Sequence, residues 1–201
     1  MNYYKKMFIS FIIIFLVTVT FYLHNFSLIS KPVTYLFNKK LPIYSVDTTE
    51  KEIALTFDIN WAEEEHLDEI LQVLKKYDVK GTFFIAGKHA NWYPNPLVRA
   101  SKEGHEIGNH TFNHPDITNL TNAQLEEEIL KCEEILIKLT GKKPTLFRPP
   151  YGSYKQEELA SIAKKLNYKI VLWTTVDARD WQNPAAEVIA NKIINKRQRG
   201  L

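Results

Sequence analysis

Between Ile53 and Asn195, short β-branched and aromatic runs alternate with amphipathic helical stripes. No other feature of the 201-residue sequence constrains the fold as tightly. Ile53–Phe57, Thr82–Ala86, Glu106–Gly108, Leu146–Phe147 and Tyr168–Trp173 read as strands. Helical spacing runs from Glu63 to Tyr77, where Leu67, Ile70, Leu71 and Leu74 share one stripe. It returns at Pro96–Lys102, Thr121–Thr140, Gln156–Leu166 and Pro184–Asn195, with Thr121 suited to open the longest helix and Gly141 to end it. Strict alternation of this kind demands crossover connections, so the strands should be parallel and the helices should cover the sheet. Eight β/α units usually take ~250 residues. The body here is shorter, which leaves a smaller, distorted (β/α) barrel or an open sheet.

The N-terminus obeys a different pattern. Met7–Leu23 is an unbroken run of apolar and hydroxyl side chains preceded by Lys5 and Lys6. As a helix it would be about 25 Å long, near the lower limit for a membrane span. The positive flank places residues 1–6 in the cytoplasm, makes 7–23 a transmembrane signal-anchor and puts the body outside. A cleaved signal peptide is the competing reading, but it needs small residues after the apolar core, and the first alanine is Ala54. Residues 24–50, broken by Pro32 and Pro42, read as a stalk, and residues 51–201 as the folded domain. Charge follows the same division. Five of the 26 basic residues precede Asp47 with no acid among them, while residues 47–201 hold all 23 acids and carry a net charge of −2. That balance gives the body no electrostatic basis for binding nucleic acid. The single cysteine, Cys132, excludes an internal disulfide and falls on the apolar stripe of Thr121–Thr140.

In parallel sheets, chemistry collects where the strands end. Four of the five strand ends here deliver a group with chemical capacity. Asp58 follows the first strand, in Thr56-Phe-Asp-Ile-Asn60. Asn109-His-Thr-Phe-Asn-His-Pro115 follows the third, Arg148-Pro-Pro-Tyr-Gly152 the fourth, and Asp177-Ala-Arg-Asp-Trp181 the fifth. His110 and His114 are four residues apart, a spacing that turns two imidazoles to one side of a helical turn and suits a single metal ion. Pro115 disfavours helix at His114, so a compact loop would serve equally. Arg148 supplies a positive charge to pair with a nearby carboxylate. Trp181 fits either a pocket wall or the core. His24, His66 and His89 read as surface or interface histidines, and His105 as structural.

The four segments TFDIN, HTFNHP, RPPYG and DARDW, in this order and spacing, resemble the polysaccharide deacetylase family (NodB homology, carbohydrate esterase family four) from about Lys51 to Asn195. The lead-in Leu41–Asp47 and Trp61 further resemble its PdaB-like sporulation branch. The resemblance implies a distorted (β/α) barrel that removes acetyl groups from amino-sugar glycans such as peptidoglycan or chitin-like N-acetylglucosamine polymers. It implies a divalent metal, zinc with cobalt as an alternative, held by His110 and His114. Asp58 would be the general base, oriented by Arg148. The Tyr151 backbone N–H would stabilise the oxyanion, Tyr151 and Trp181 would contact substrate, and Asp177 and Asp180 would supply the acid motif.

Two departures qualify these expectations. The family's second acid after Thr-Phe is Ile59 here, so the third metal ligand would have to come from the Asn60 amide, a neutral and weaker donor. The family's final strand carries a Leu-x-His motif, yet no histidine follows His114, so the barrel should be incomplete at its C-terminal end. The main reading is a membrane-anchored, metal-dependent deacetylase acting outside the cytoplasm. The alternative is a catalytically impaired or truncated member that binds glycan in the envelope or during sporulation.

Overall fold

The computed structural model describes residues 42–50, 52–60, 66–174 and 177–196. The segments read as cytoplasmic N-terminus and signal-anchor, most of the stalk, and Trp61 lie outside them. Among the described residues no helix is long and apolar enough to cross a membrane.

Five strands form one parallel sheet in sequence order: β1 (Thr56–Ile59), β2 (Thr82–Ile85), β3 (Glu106–Asn109), β4 (Leu146–Phe147) and β5 (Lys169–Ile170). The connections carry α1 (Leu67–Lys76), α2 (Gly87–Trp92), α3 (Pro94–Lys102), α4 (Asn122–Thr140) and α5 (Gln156–Leu166), and α6 (Ala186–Lys196) follows. α2 was not anticipated, because Gly87-Lys-His-Ala-Asn-Trp92 is too short to show a helical stripe. It buries His89, which the sequence suggested was a surface or interface histidine. Local signals set the ends of α4. Thr121 and Gln124 form a reciprocal capping box, and Gly141 closes the helix in the left-handed region at φ 73°.

The period-two alternation of the strands sorts side chains to two faces. Phe83 and Ile85 of β2 pack outward with Leu67, Leu71, Leu97, Cys132 and Leu136, and Phe57, Ile59 and Ile107 join that cluster. Phe147 and Ile170 pack with Ile129, Leu159, Ile162 and Tyr168 in a second cluster. In the first cluster Cys132 is fully buried, its thiol 3.3 Å from the Ile85 carbonyl and pushed up to about 12 by burial. That makes it a packing residue rather than a nucleophile. Thr56, Asp58, Phe84 and Gly108 occupy the alternate positions, on the opposite face. Gly108 pairs with Phe84, and a Cβ at Gly108 would lie 2.5 Å from the Phe84 ring, so only glycine lets that ring lie flat across β3.

Two expectations need revision. Residues 42–50 are not purely a stalk. Ile43 donates its N–H to Ile170 O and accepts from Leu172 N–H, both at 2.8 Å, in a parallel bridge with Val171. The exposed ladder groups of β5 would otherwise go unpaired, and Ile43 covers them. β5 spans Lys169–Ile170, shorter than the Tyr168–Trp173 run suggested, and Val171 beyond it donates its N–H to Phe147 O at 2.9 Å while bridging Ile43 on its other side. The barrel is also not closed, since no ladder joins β1 to Ile43 among the described residues. The sheet is nonetheless curled. Three strand spacings separate β4 from β1, ~14 Å in a flat sheet. That exceeds the reach of an arginine side chain, yet Arg148 just after β4 touches both Thr56 and Asp58.

Candidate active site

Arg148 is the hub of the site. It is 2% exposed, and its guanidinium lies 4.0 Å from the Phe84 ring centroid, stacked on the face that Gly108 clears. Nη1 donates to Asp58 Oδ1 at 2.6 Å and to Thr56 Oγ1 at 3.0 Å. Nε donates to Val171 O at 3.3 Å and Nη2 to Leu172 O at 3.2 Å. One cation therefore ties β1 to the segment beyond β5 and fixes one oxygen of Asp58. The carboxylate itself is 33% exposed, leaving Oδ2 accessible.

His110 follows β3 on the same face as Asp58. Its Nδ1 lies 2.7 Å from Arg148 O. A carbonyl only accepts, so Nδ1 carries the proton and Nε2 presents a bare lone pair when the ring is neutral. Nε2 lies 4.0 Å from Asp58 Oδ2. The His114 ring centroid is 4.8 Å from that of His110, and Asn60 Nδ2 donates to His114 Nε2 at 3.3 Å. Burial is the leading cause that lowers both histidines, and His114 falls to about 4 with His110 as the second cause. Both rings are therefore neutral near pH 7, the form that ligates metal.

The pair sits in a tight turn rather than a helix, as Pro115 allowed. Thr111 and His114 adopt φ 65° and 56°, values uncommon outside glycine. The turn is held from several sides. Thr111 N–H donates to Asn109 Oδ1, and His114 N–H to Thr111 Oγ1. The first N–H groups of α2, from Gly87 and Lys88, cap the carbonyls of Thr111 and Phe112 at 3.0 Å. Asn109 is itself locked by donating to Ile129 O and to the Tyr168 hydroxyl, which donates in turn to Glu133.

Tyr151 joins the site. Its ring centroid lies 4.7 Å from that of His114, its backbone has φ 59° and it is 58% exposed. The DARDW segment does not join on any described contact. Asp177 Oδ1 accepts the N–H of Arg179, a local turn bond. Asp180 opens a short 3-10 helix, and Trp181 is 75% exposed, so it is not core. His105 is structural, buried with its Nδ1 accepting Gly81 N–H, and His66 is a surface residue paired with Glu69.

The donor set can be tested against the divalent metal that the resemblance implies. The two histidines fit in being neutral and adjacent, and His110 is aimed by the hydrogen bond from its Nδ1 to Arg148 O. A third acid does not. Among the described residues no group of three or more His, Cys, Asp or Glu is close enough to hold an ion. Ile59 packs into the apolar cluster, and Arg148 already engages Asp58. Asn60 is the side chain in contact with His114 Nε2, and turning its amide would offer an oxygen at that place.

Residues 45–171 match the family model described as polysaccharide deacetylase. This chain belongs to the polysaccharide deacetylase family. It is 39% identical over 151 residues to a peptidoglycan-N-acetylglucosamine deacetylase of Bacillus cereus, covering 75% of this chain and 54% of that protein. It superposes on the crystal structure of the Bc1960 peptidoglycan N-acetylglucosamine deacetylase with TM-score 0.75 and 36% identity, over 84% of this chain and 77% of that one. Wild-type BA3943 of Bacillus anthracis, a pseudoenzyme of carbohydrate esterase family four, superposes with TM-score 0.75 and 30% identity, over 80% of this chain and 56% of that one. A BA3943 mutant with restored enzymatic activity superposes equally well. The chain spans about half the length of two curated relatives it matches, that Bacillus cereus deacetylase and the uncharacterized protein YlxY of Bacillus subtilis.

Proposed function

We propose that this deacetylase-family chain hydrolyses acetyl groups from amino-sugar residues of peptidoglycan or a related N-acetylglucosamine polymer, anchored by residues 7–23 with its body outside the cytoplasm. The observation that carries the reading is the alignment of His110. Arg148 holds its Nδ1 proton through the carbonyl and Asp58 through the guanidinium, so one residue aims both a ligand and a carboxylate at the same spot. A divalent metal, zinc or alternatively cobalt, would be held by His110 and His114 with the Asn60 amide oxygen, and when bound it polarises the acetyl carbonyl and acidifies water. Asp58 Oδ2, the oxygen that Arg148 leaves accessible, accepts the proton from the attacking water. The Tyr151 N–H, beside His114, stabilises negative charge developing on the acetyl oxygen. Its exposed ring, with Trp181, stacks against sugar. Asp177 and Asp180, which make only local contacts among the described residues, are the resemblance's candidates for the acid motif that protonates the leaving amine.

A specific observation favours a second reading. The donor set has two histidines and a neutral amide, with no third acid, which suits a member of the family that binds glycan without turnover in the envelope or during sporulation. Acetate release from N-acetylglucosamine oligomers and from peptidoglycan, with added zinc or cobalt and a chelator control, separates the two. Chelator-sensitive release supports the hydrolase. A folded protein that binds the oligomers and releases no acetate would establish the second reading in its place.

A further inference from the structure

The turn that carries both histidines bears strain at two non-glycine positions, and its apex rests on one side chain from another element. Glu128, in the middle of α4, takes three hydrogen bonds from it. Oε2 accepts the backbone N–H of Phe112 at 3.0 Å and of Asn113 at 2.8 Å, and Oε1 accepts Asn113 Nδ2 at 2.7 Å. Those two N–H groups belong to the residues immediately preceding His114. Asn109, Gly87 and Lys88 fix the start of the turn and its carbonyls, and Glu128 supplies the acceptors for the donors at its tip. Gly87 completes the seat, because a Cβ there would lie 2.7 Å from the Phe112 ring.

We infer that Glu128 is a positioning residue that holds the His110–His114 turn in metal-binding geometry by accepting the N–H groups of Phe112 and Asn113. This rests on the reading of His110 and His114 as the metal-holding pair. Glu128 never touches the metal or the substrate. It acts through the backbone by limiting where His114 can place its ring. Carboxylates that accept backbone N–H groups make short, charge-assisted bonds, which suits a loop whose torsions are disfavoured. The sequence gives no hint of this role. Glu128 is the last of three consecutive glutamates in the first half of α4.

The test uses the full chain with zinc as probe, in three variants. Glu128→Met keeps the stem and removes the acceptors, Glu128→Gln restores one acceptor oxygen, and Glu127→Ala removes a neighbouring exposed charge. Two readings are taken: zinc affinity, and hydrogen exchange at the Phe112 and Asn113 amides in metal-free protein. Glu128→Met should weaken zinc by about ten- to a hundredfold, as other supporting residues of metal sites do. Both amides should exchange at least as much faster. Glu128→Gln should recover most of each effect and Glu127→Ala should change neither. If Glu128→Met does not fold, Asn113→Ala, which removes the Oε1 bond from an exposed residue, should show the same shift in smaller measure. Wild-type exchange rates and zinc affinity in Glu128→Met, or equal losses in Met and Gln, would overturn the inference. If the wild-type chain binds no zinc, the metal reading itself fails. The exchange of the two amides then decides alone whether Glu128 holds the turn.

Discussion

Replacing Arg148 by methionine should be among the most costly single substitutions in the body. Methionine keeps an apolar stem over Phe84 and removes the guanidinium. Four acceptors lose their donor: Asp58 Oδ1, Thr56 Oγ1, Val171 O and Leu172 O. Asp58 is one-third exposed and returns to water at modest cost. The other three acceptors surround a side chain that is 3% exposed, and a buried polar group left unpaired costs roughly 1–3 kcal/mol. Part of that is recovered as the segment beyond β5 relaxes. The net loss should be about 3–5 kcal/mol, the range found when one partner of a buried ion pair is removed. For a chain of this size that corresponds to a fall in Tm of about 6–20 °C. Denaturant unfolding should show a lower midpoint at unchanged slope. The damage should concentrate at the seam, so the amides of Ile43 and Leu172, which pair across it, should lose exchange protection before those of β2 and β3. A loss below about 1 kcal/mol, with those two amides still protected, would refute the idea that Arg148 ties the ends of the sheet together.

Two further outcomes follow from the site. Burial holds His110 and His114 neutral in the fold, His114 down to about 4, whereas an unfolded histidine titrates near 6.5. The unfolded state therefore binds more protons between these values. Metal-free protein should keep full stability above pH 6.5 and lose it as pH falls towards 4, by about 2 kcal/mol at pH 5 from His114 alone. Unfolding midpoints at pH 7 and 5 check this, and a His114→Gln variant as pH-sensitive as wild type would contradict it. Asn60→Asp should tighten zinc on the order of tenfold, about 1.4 kcal/mol, because it places a carboxylate where the amide now meets His114 Nε2. Unchanged affinity in a chelator-competition titration would put residue 60 outside the coordination sphere.

The chain's local chemistry determined much of this on its own. Apolar stripes at helical spacing fixed α4 and α5 nearly to the residue, and the end of α1 but not its start, because each helix needs one continuous buried face and these sequences provide only one. Alternation of strand and helix implied a parallel sheet, and the strand ends pointed to Asp58, His110, His114 and Arg148 as neighbours in space, although β1 starts later than Ile53 and holds Asp58 inside its ladder rather than after it. What sequence could not reach depends on distance through the fold. Ile43 looked like linker because its pairing partner lies 128 residues away in the chain. His89 looked like a surface or interface histidine because α2 is too short to announce its own buried face. Glu128 looked like any glutamate on a charged helix, since its partners lie on a turn that only tertiary packing brings beneath it. Periodicity records which face of an element is buried. Only the curl of the sheet decides which polar groups meet once it is buried, and that curl lets one arginine join both ends of the sheet and hold Asp58 beside the histidines.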